Sequence, residues 1–244
     1  MQTTRPILLP FVIALSALIV GMVPIYRYAG FDLQYVAMTL VTFLAVCSVL
    51  VWAWVRHSAG NVRFGPANTV TFLRVVLVCW IAGAIGQAGS DWSSWFVVTI
   101  STTALILDGI DGWLARKLGC ASDFGARFDQ EIDALLILIL AVLVVQTGKA
   151  GTWILLVGLL RYLFVAGAVA IPKLAEPLPP SKRRQTICVT TVIGLILCLA
   201  PVVTPPLSTA IAAVTAGVLS LSFTVDTVWL LRPKSPVSGK EEKC

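Results

Sequence analysis

The sequence predicts an all-α fold, a polytopic membrane helical bundle of about eight transmembrane helices. Three observations predict it. Of 244 residues, 58% are hydrophobic and only 12% charged, about half the charge of an ordinary soluble domain. Mean hydropathy is +0.91. The apolar residues arrive in continuous stretches of roughly twenty, the length that crosses a bilayer, without the strand alternation of a membrane barrel.

Taken in order, spans are expected at 7–26, 35–55, 68–87, 93–117, 124–147, 151–171, 186–202 and 207–231. The first follows Arg5 and has no small-x-small cleavage site behind it, so it reads as a retained helix. The second ends at a charged loop holding His57, and 56–66 reads as a short interfacial stretch. The third opens after Pro66 and carries Arg74, and the fourth runs down to Arg116 and Lys117. The fifth begins with acids and continues apolar, and the sixth contains Arg161 within an apolar run. The basic loop Ser181–Thr186 leads into the seventh. The eighth closes the membrane domain, and 232–244, with Pro, Ser, Gly and Lys-Glu-Glu-Lys, reads as a disordered cytoplasmic tail.

Charge sets the expected topology. With the N-terminus in the cytoplasm, the inner segments hold Arg5, Arg56, Arg63, Arg116, Lys117, Arg127, Lys173, Lys182, Arg183, Arg184, Arg232, Lys234, Lys240 and Lys243, fourteen of the 18 basic residues. The outer loops hold Arg27 and Lys149, while Arg74 and Arg161 fall within helices. This asymmetry places both termini inside and predicts a multi-pass protein of the cell inner or plasma membrane. The net charge of +6 is thereby a topology signal, and with no aromatic-basic interleaving the sequence excludes nucleic acid as a partner.

Six cysteines, Cys47, Cys79, Cys120, Cys188, Cys198 and Cys244, show no C-x-x-C spacing and sit mostly in apolar segments, as buried free thiols do. The terminal cysteine does not form a C-a-a-X signal. With a single histidine, His57, a zinc site has no ligand set.

The residues that carry chemistry are four aspartates. Asp108 and Asp111 are three apart at the end of the fourth span, and Asp129 and Asp133 are four apart on the fifth. Both spacings put the two carboxylates on one helix face. The connection is short, so the two helices are expected to pack antiparallel and bring the pairs together. Acids at helix ends often only face water, yet four of them in an apolar chain without matching bases call for cations. Carboxylates alone suit hard ions such as Mg²⁺ or Mn²⁺, and two ions about 4 Å apart would clamp a displacement at phosphorus. Gly112 and Gly125 remove bulk beside the acids, Arg116 can meet a phosphate, and Ser122 supplies a hydroxyl. Glu131 points off the acid face and reads as solvated.

The run Asp108-x-x-Asp111-Gly112-x-x-Ala115-Arg116, then Gly125-x-x-x-Asp129-x-x-x-Asp133, resembles the signature of the CDP-alcohol phosphotransferases (CDP-alcohol phosphatidyltransferases) at every defining position. Upstream, Pro66-Ala-Asn68-Thr-Val-Thr71-Phe-Leu-Arg74 resembles the run that opens the family's first core helix, with Ala67 inserted. The resemblance implies a six-helix core over 67–231, preceded in 1–66 by two additional transmembrane helices and the interfacial linker. It implies an integral membrane transferase of phospholipid biosynthesis that moves a phosphatidyl group from CDP-diacylglycerol to an alcohol and releases CMP. Asp108, Asp111, Asp129 and Asp133 would hold the divalent metal, with Asp133 also the catalytic base. Asn68, Thr71, Gly112, Ala115, Arg116, Ser122 and Gly125 would seat the CDP-linked donor. A homodimer in contact with membrane lipids is implied as well.

For the acceptor, Arg161 and the basic run Lys182, Arg183 and Arg184 are the candidates. Family members resembling phosphatidylglycerophosphate synthases and phosphatidylinositol-phosphate synthases have basic residues in similar places, which implies glycerol 3-phosphate or inositol phosphate. The loop residues read equally as an anchor against anionic lipid, worth about 1 kcal/mol each. Two other functions fit buried acids: a metal-dependent CDP-diacylglycerol hydrolase, and an ion- or proton-coupled membrane transporter. A transporter of that kind would show repeated halves or paired broken helices, and neither is visible in the sequence.

Overall fold

The computed structural model describes residues 5–28, 30–57, 66–87, 90–118, 123–175 and 181–232. The tail 233–244 and most of the stretch expected at the interface lie outside them. Eight α-helices follow in order among the described residues: α1 Arg5–Tyr28, α2 Leu33–His57, α3 Pro66–Gly83, α4 Asp91–Leu118, α5 Asp123–Gln146, α6 Leu155–Ala170, α7 Lys182–Leu199 and α8 Leu207–Leu231. Short 3₁₀ turns at Thr152–Ile154 and Pro172–Ala175 flank α6. The all-helical expectation therefore holds, and the eight helices coincide with the eight expected spans to within a few residues.

Local chemistry explains the ends. Pro66 is the first residue of α3, where its fixed φ and missing N–H suit a helix start. The Asp32 carboxylate accepts from the backbone N–H of Gln34 at 2.9 Å and of Tyr35 at 3.3 Å, capping α2. Ser90 does the same for α4 through the N–H of Ser93. The end of α3, the start of α6 and the start of α7 each shift by four residues, and α7 begins at Lys182 directly after an extended Ser181. The basic run expected in a loop is thus the first turn of that helix.

Packing sorts the helices into an inner ring and an outer layer. α3 packs against α4 and α5, and α7 packs against the same two. These four form a ring in which α4 faces α5 across the centre. The antiparallel α4–α5 pair expected from their short connection is not formed, because α3 and α7 lie between them. α1 and α2 cover the outer side of α3, α6 lies on α5, and α8 lies on α7 and α6.

Four described stretches meet the length and apolarity needed to cross a membrane: Leu33–Leu50, Asp91–Ile110, Thr152–Ala170 and Leu207–Leu231. They belong to α2, α4, the α6 region and α8, which expose Val41, Leu44, Ile106, Leu163, Val169, Leu221 and Val225. Such an apolar exterior is what a lipid-facing surface requires. α3, α5 and α7 also carry charged residues, and their buried faces supply much of the core: Val75, Cys79, Ile81, Leu136, Leu140, Val144, Leu195 and Leu199. Neighbouring helices, rather than uniform apolarity, shield their polar residues from lipid. Helices approach closely at Gly158, where a Cβ would come within 2.6 Å of the Leu138 backbone on α5.

Candidate active site

Because successive helices run up and down, the start of α3, the end of α4, the start of α5, the start of α7 and the end of α8 gather at one end of the bundle. Exposed Trp92, Trp95 and Trp153 mark the other end, as interfacial aromatics do.

At the charged end the inner ring closes around three carboxylates. Asp108 comes from α4, and Asp129 and Asp133 from α5. One oxygen from each lies within 4.8 Å of the other two. Asp129 and Asp133 share a face of α5 as their spacing requires, and that face meets α4 across the ring. All three are partly buried. Their donor set is oxygen only, the ligand type that hard divalent cations take, and the three side chains converge at one place in the ring. The residues present therefore fit the ion that the sequence suggested.

A fourth group from α3 completes the cluster. Arg74, only 1% exposed, donates from Nη1 to Asp129 and lies 2.8 Å from Asp108 through the same nitrogen. Its Nη2 donates to Asp133 at 2.5 Å. One guanidinium thus spans all three acids, and the planar fork with its several donors is the reason an arginine can do so. From α7, the Cys188 thiol lies 3.9 Å from the second oxygen of Asp133. Each helix of the ring supplies at least one group.

Other expected site residues are placed as follows. Thr71 lies one turn before Arg74 on α3 and is partly buried. Gly112 on α4 and Gly125 on α5 lie within a turn of the acids at this same end. Asn68, Asp111, Ala115 and Arg116 belong to α3 and α4, but their side chains lie outside the described residues, as does all of Ser122.

The acceptor candidates have partners the sequence did not suggest. Arg161 on α6 donates to Glu131. Glu131 is two residues from both Asp129 and Asp133, which turns it about 200° away from them on α5. It is thus an ion-pair partner toward α6, where the sequence had suggested a merely solvated acid. Arg183 donates to Asp226 on α8, with Arg184 4.0 Å from the same carboxylate, while Lys182 is exposed.

Arg74 and Asp226 are the functional candidates that sequence reasoning passed over. For Arg74 the signal was present: a charge nine positions into an apolar helix demands a partner. Its partners lie 55 and 59 residues away for Asp129 and Asp133, beyond any local pattern.

Comparison with known proteins adds a family. The family model of CDP-alcohol phosphatidyltransferase matches residues 64–225. A protein of Cereibacter sphaeroides named CDP-diacylglycerol–glycerol-3-phosphate 3-phosphatidyltransferase is 30% identical over 41% of this chain and 47% of its own length. The chain thus spans about half of that relative. A probable phosphatidylglycerophosphate synthase of Mycobacterium tuberculosis is 29% identical over 74% of this chain and 88% of its own. A CDP-diacylglycerol–inositol 3-phosphatidyltransferase of Schizosaccharomyces pombe is 36% identical over 30% of this chain and 29% of its own. No solved structure matches the chain.

Proposed function

Since the chain belongs to the CDP-alcohol phosphatidyltransferase family, whose model spans well over half of it, we propose that it transfers a phosphatidyl group from CDP-diacylglycerol to a phosphorylated alcohol and releases CMP. The observation that carries this reading is the meeting of Asp108, Asp129 and Asp133 from opposed helices at one end of the bundle. Two relatives, from C. sphaeroides and M. tuberculosis, have names that specify glycerol 3-phosphate or its product. Glycerol 3-phosphate is accordingly the first choice of acceptor, with inositol phosphate behind it.

Asp108, Asp111, Asp129 and Asp133 would hold Mg²⁺ or Mn²⁺. Bound there, divalent ions supply charge neutralisation at a diphosphate and at a departing phosphate. The remaining work falls to the chain. Asn68, Thr71, Gly112, Ala115, Arg116, Ser122 and Gly125 seat the cytidine diphosphate moiety, while the acyl tails of the donor stay in lipid beside the bundle. The acceptor hydroxyl oxygen forms a bond to the phosphatidyl phosphorus as the bond from that phosphorus to the CMP oxygen breaks. CMP leaves with that electron pair. The hydroxyl proton passes to Asp133, whose second oxygen lies 3.9 Å from the Cys188 thiol; a carboxylate serves as base when it lies within hydrogen-bond reach of the attacking hydroxyl. Catalysis of this kind is positioning and charge stabilisation.

Arg161, Lys182, Arg183 and Arg184 form the acceptor side of the site. They lie on α6 and α7, the first against Glu131 and two of the others against Asp226, and a phosphate would replace those carboxylates as the anion. The core of the enzyme is 67–231, with α1 and α2 as an added wall on α3. The site opens to the cytoplasm, both termini lie there, and the protein works as a homodimer.

Purified protein supplied with CDP-diacylglycerol, Mg²⁺ or Mn²⁺ and a panel of alcohols tests the reading. Release of CMP that depends on the added alcohol, with a new phosphodiester lipid by mass spectrometry, is expected. Phosphatidic acid as the sole lipid product would identify a hydrolase, and no CMP with any acceptor would remove the enzymatic reading.

A further inference from the structure

Arg74 is the buried charge to which the transfer reaction assigns no task. The geometry points to it as a positioning residue that holds the cation site of Asp108, Asp129 and Asp133 until a divalent ion takes its place, so that ion loading requires Arg74 to withdraw. This inference rests on the reading of those aspartates as metal ligands.

The contacts define the competition. Nη1 engages Asp108 and Asp129, and Nη2 engages Asp133. The same three carboxylates bring their oxygens within 4.8 Å of one another. A small hard cation binds carboxylate oxygen at about 2.0–2.2 Å, so an ion bridging the three would need the space between oxygens that the guanidinium nitrogens now fill. Two cations crowded among the same oxygens would also repel strongly in a poorly solvated site. Arginine cannot yield by losing its proton, so it must move.

The arrangement also has a use. α4 and α5 face each other across the ring, and three unneutralised carboxylates between them would push apart. Arg74 offsets that repulsion from α3, which α1 and α2 hold from outside. It thereby keeps the ligands gathered before an ion arrives. A residue with this double role has opposite effects on two measurable quantities. Removing its charge weakens the ion-free fold and strengthens ion binding. A merely structural arginine would weaken the fold and leave ion binding equal or poorer.

The test uses the full chain in detergent, stripped of divalent ions at mildly alkaline pH. Mn²⁺ is titrated while the free aqua ion is followed by electron paramagnetic resonance, and thermal melting is recorded with and without Mn²⁺. Arg74→Gln is expected to melt lower without ion, to bind Mn²⁺ about tenfold more tightly, and to gain more melting temperature from Mn²⁺ than the parent does. Equal or weaker Mn²⁺ binding by a folded Arg74→Gln overturns the proposal. If that variant does not fold, Arg74→Lys carries the test. It keeps the charge but loses the fork that spans three carboxylates, so its Mn²⁺ affinity should exceed the parent's by about twofold to threefold, and an unchanged or weaker value overturns the idea. Absence in the parent of any saturable Mn²⁺ site that Asp129→Asn removes defeats the metal reading itself.

Discussion

Asp133→Asn separates the chemistry of this site from its architecture. The amide matches the carboxylate in shape and can still accept from Arg74 Nη2, now 2.5 Å from the Asp133 oxygen. Arg74 keeps its contacts to Asp129 and to Asp108 at 2.8 Å. Removing the whole counter-charge of a buried ion costs about 3–5 kcal/mol. Here one of three carboxylates is neutralised and a hydrogen bond remains, so the expected loss is nearer 1–2 kcal/mol, the scale of a charge-assisted hydrogen bond weakened to a neutral one. Catalysis should suffer far more. Loss of a positioned base alone costs about 10²- to 10⁴-fold, or about 3–5 kcal/mol of barrier, and loss of a metal ligand adds to it. The assay is the initial rate of CMP release from CDP-diacylglycerol with glycerol 3-phosphate. Size-exclusion and melting profiles establish that the variant is folded. A folded Asp133→Asn that retains a rate within about threefold of the parent, under about 0.7 kcal/mol of barrier, would refute the assignment of Asp133 as ligand and base.

Three further outcomes are expected. Arg161→Ala should raise KM for glycerol 3-phosphate and spare use of a neutral alcohol, with little change in melting because its pair with Glu131 is partly solvated and such pairs contribute about 0–1 kcal/mol; equal impairment of both alcohols would remove Arg161 from the acceptor site. Gly158→Val should destabilise the detergent-solubilised protein by about 1–3 kcal/mol through overpacking, since its Cβ would meet the Leu138 backbone at 2.6 Å, whereas Gly217→Ala on α8, with open space around it, should be neutral or stabilising by up to about 1 kcal/mol; thermal melts of the two compare them directly. Cysteines introduced singly into the exposed ends should react with an impermeant thiol reagent in intact cells near Trp92 and Trp153 and be protected near Arg232, and the reverse pattern would invert the topology.

The helices and the acid pairs were legible because both depend on near neighbours in sequence. Twenty apolar residues in a row demand internal hydrogen bonding in lipid, which a helix provides. Spacings of three and four place Asp108 with Asp111, and Asp129 with Asp133, on common faces whatever surrounds them. The acids' isolation in an apolar chain then marks them as a site. The start of α7 was misplaced by four residues because Lys182, Arg183 and Arg184 do not look like membrane helix, yet at an exposed helix end their charges cost little.

What the helices pack against was not legible. A short connection suggested that α4 and α5 lie side by side, and the fold instead sets them across a ring with α3 and α7 between. That choice follows from the fit of side chains between helices that no short connection joins, such as Arg74 of α3 against Asp129 and Asp133 of α5. It also decides who neutralises the aspartates. Their composition announced that cations were needed, since unpaired carboxylates are costly away from water. Only the tertiary structure brings Arg74 from the opening helix of the core into their midst, because a contact across 55 residues depends on packing and leaves no periodic trace in the chain.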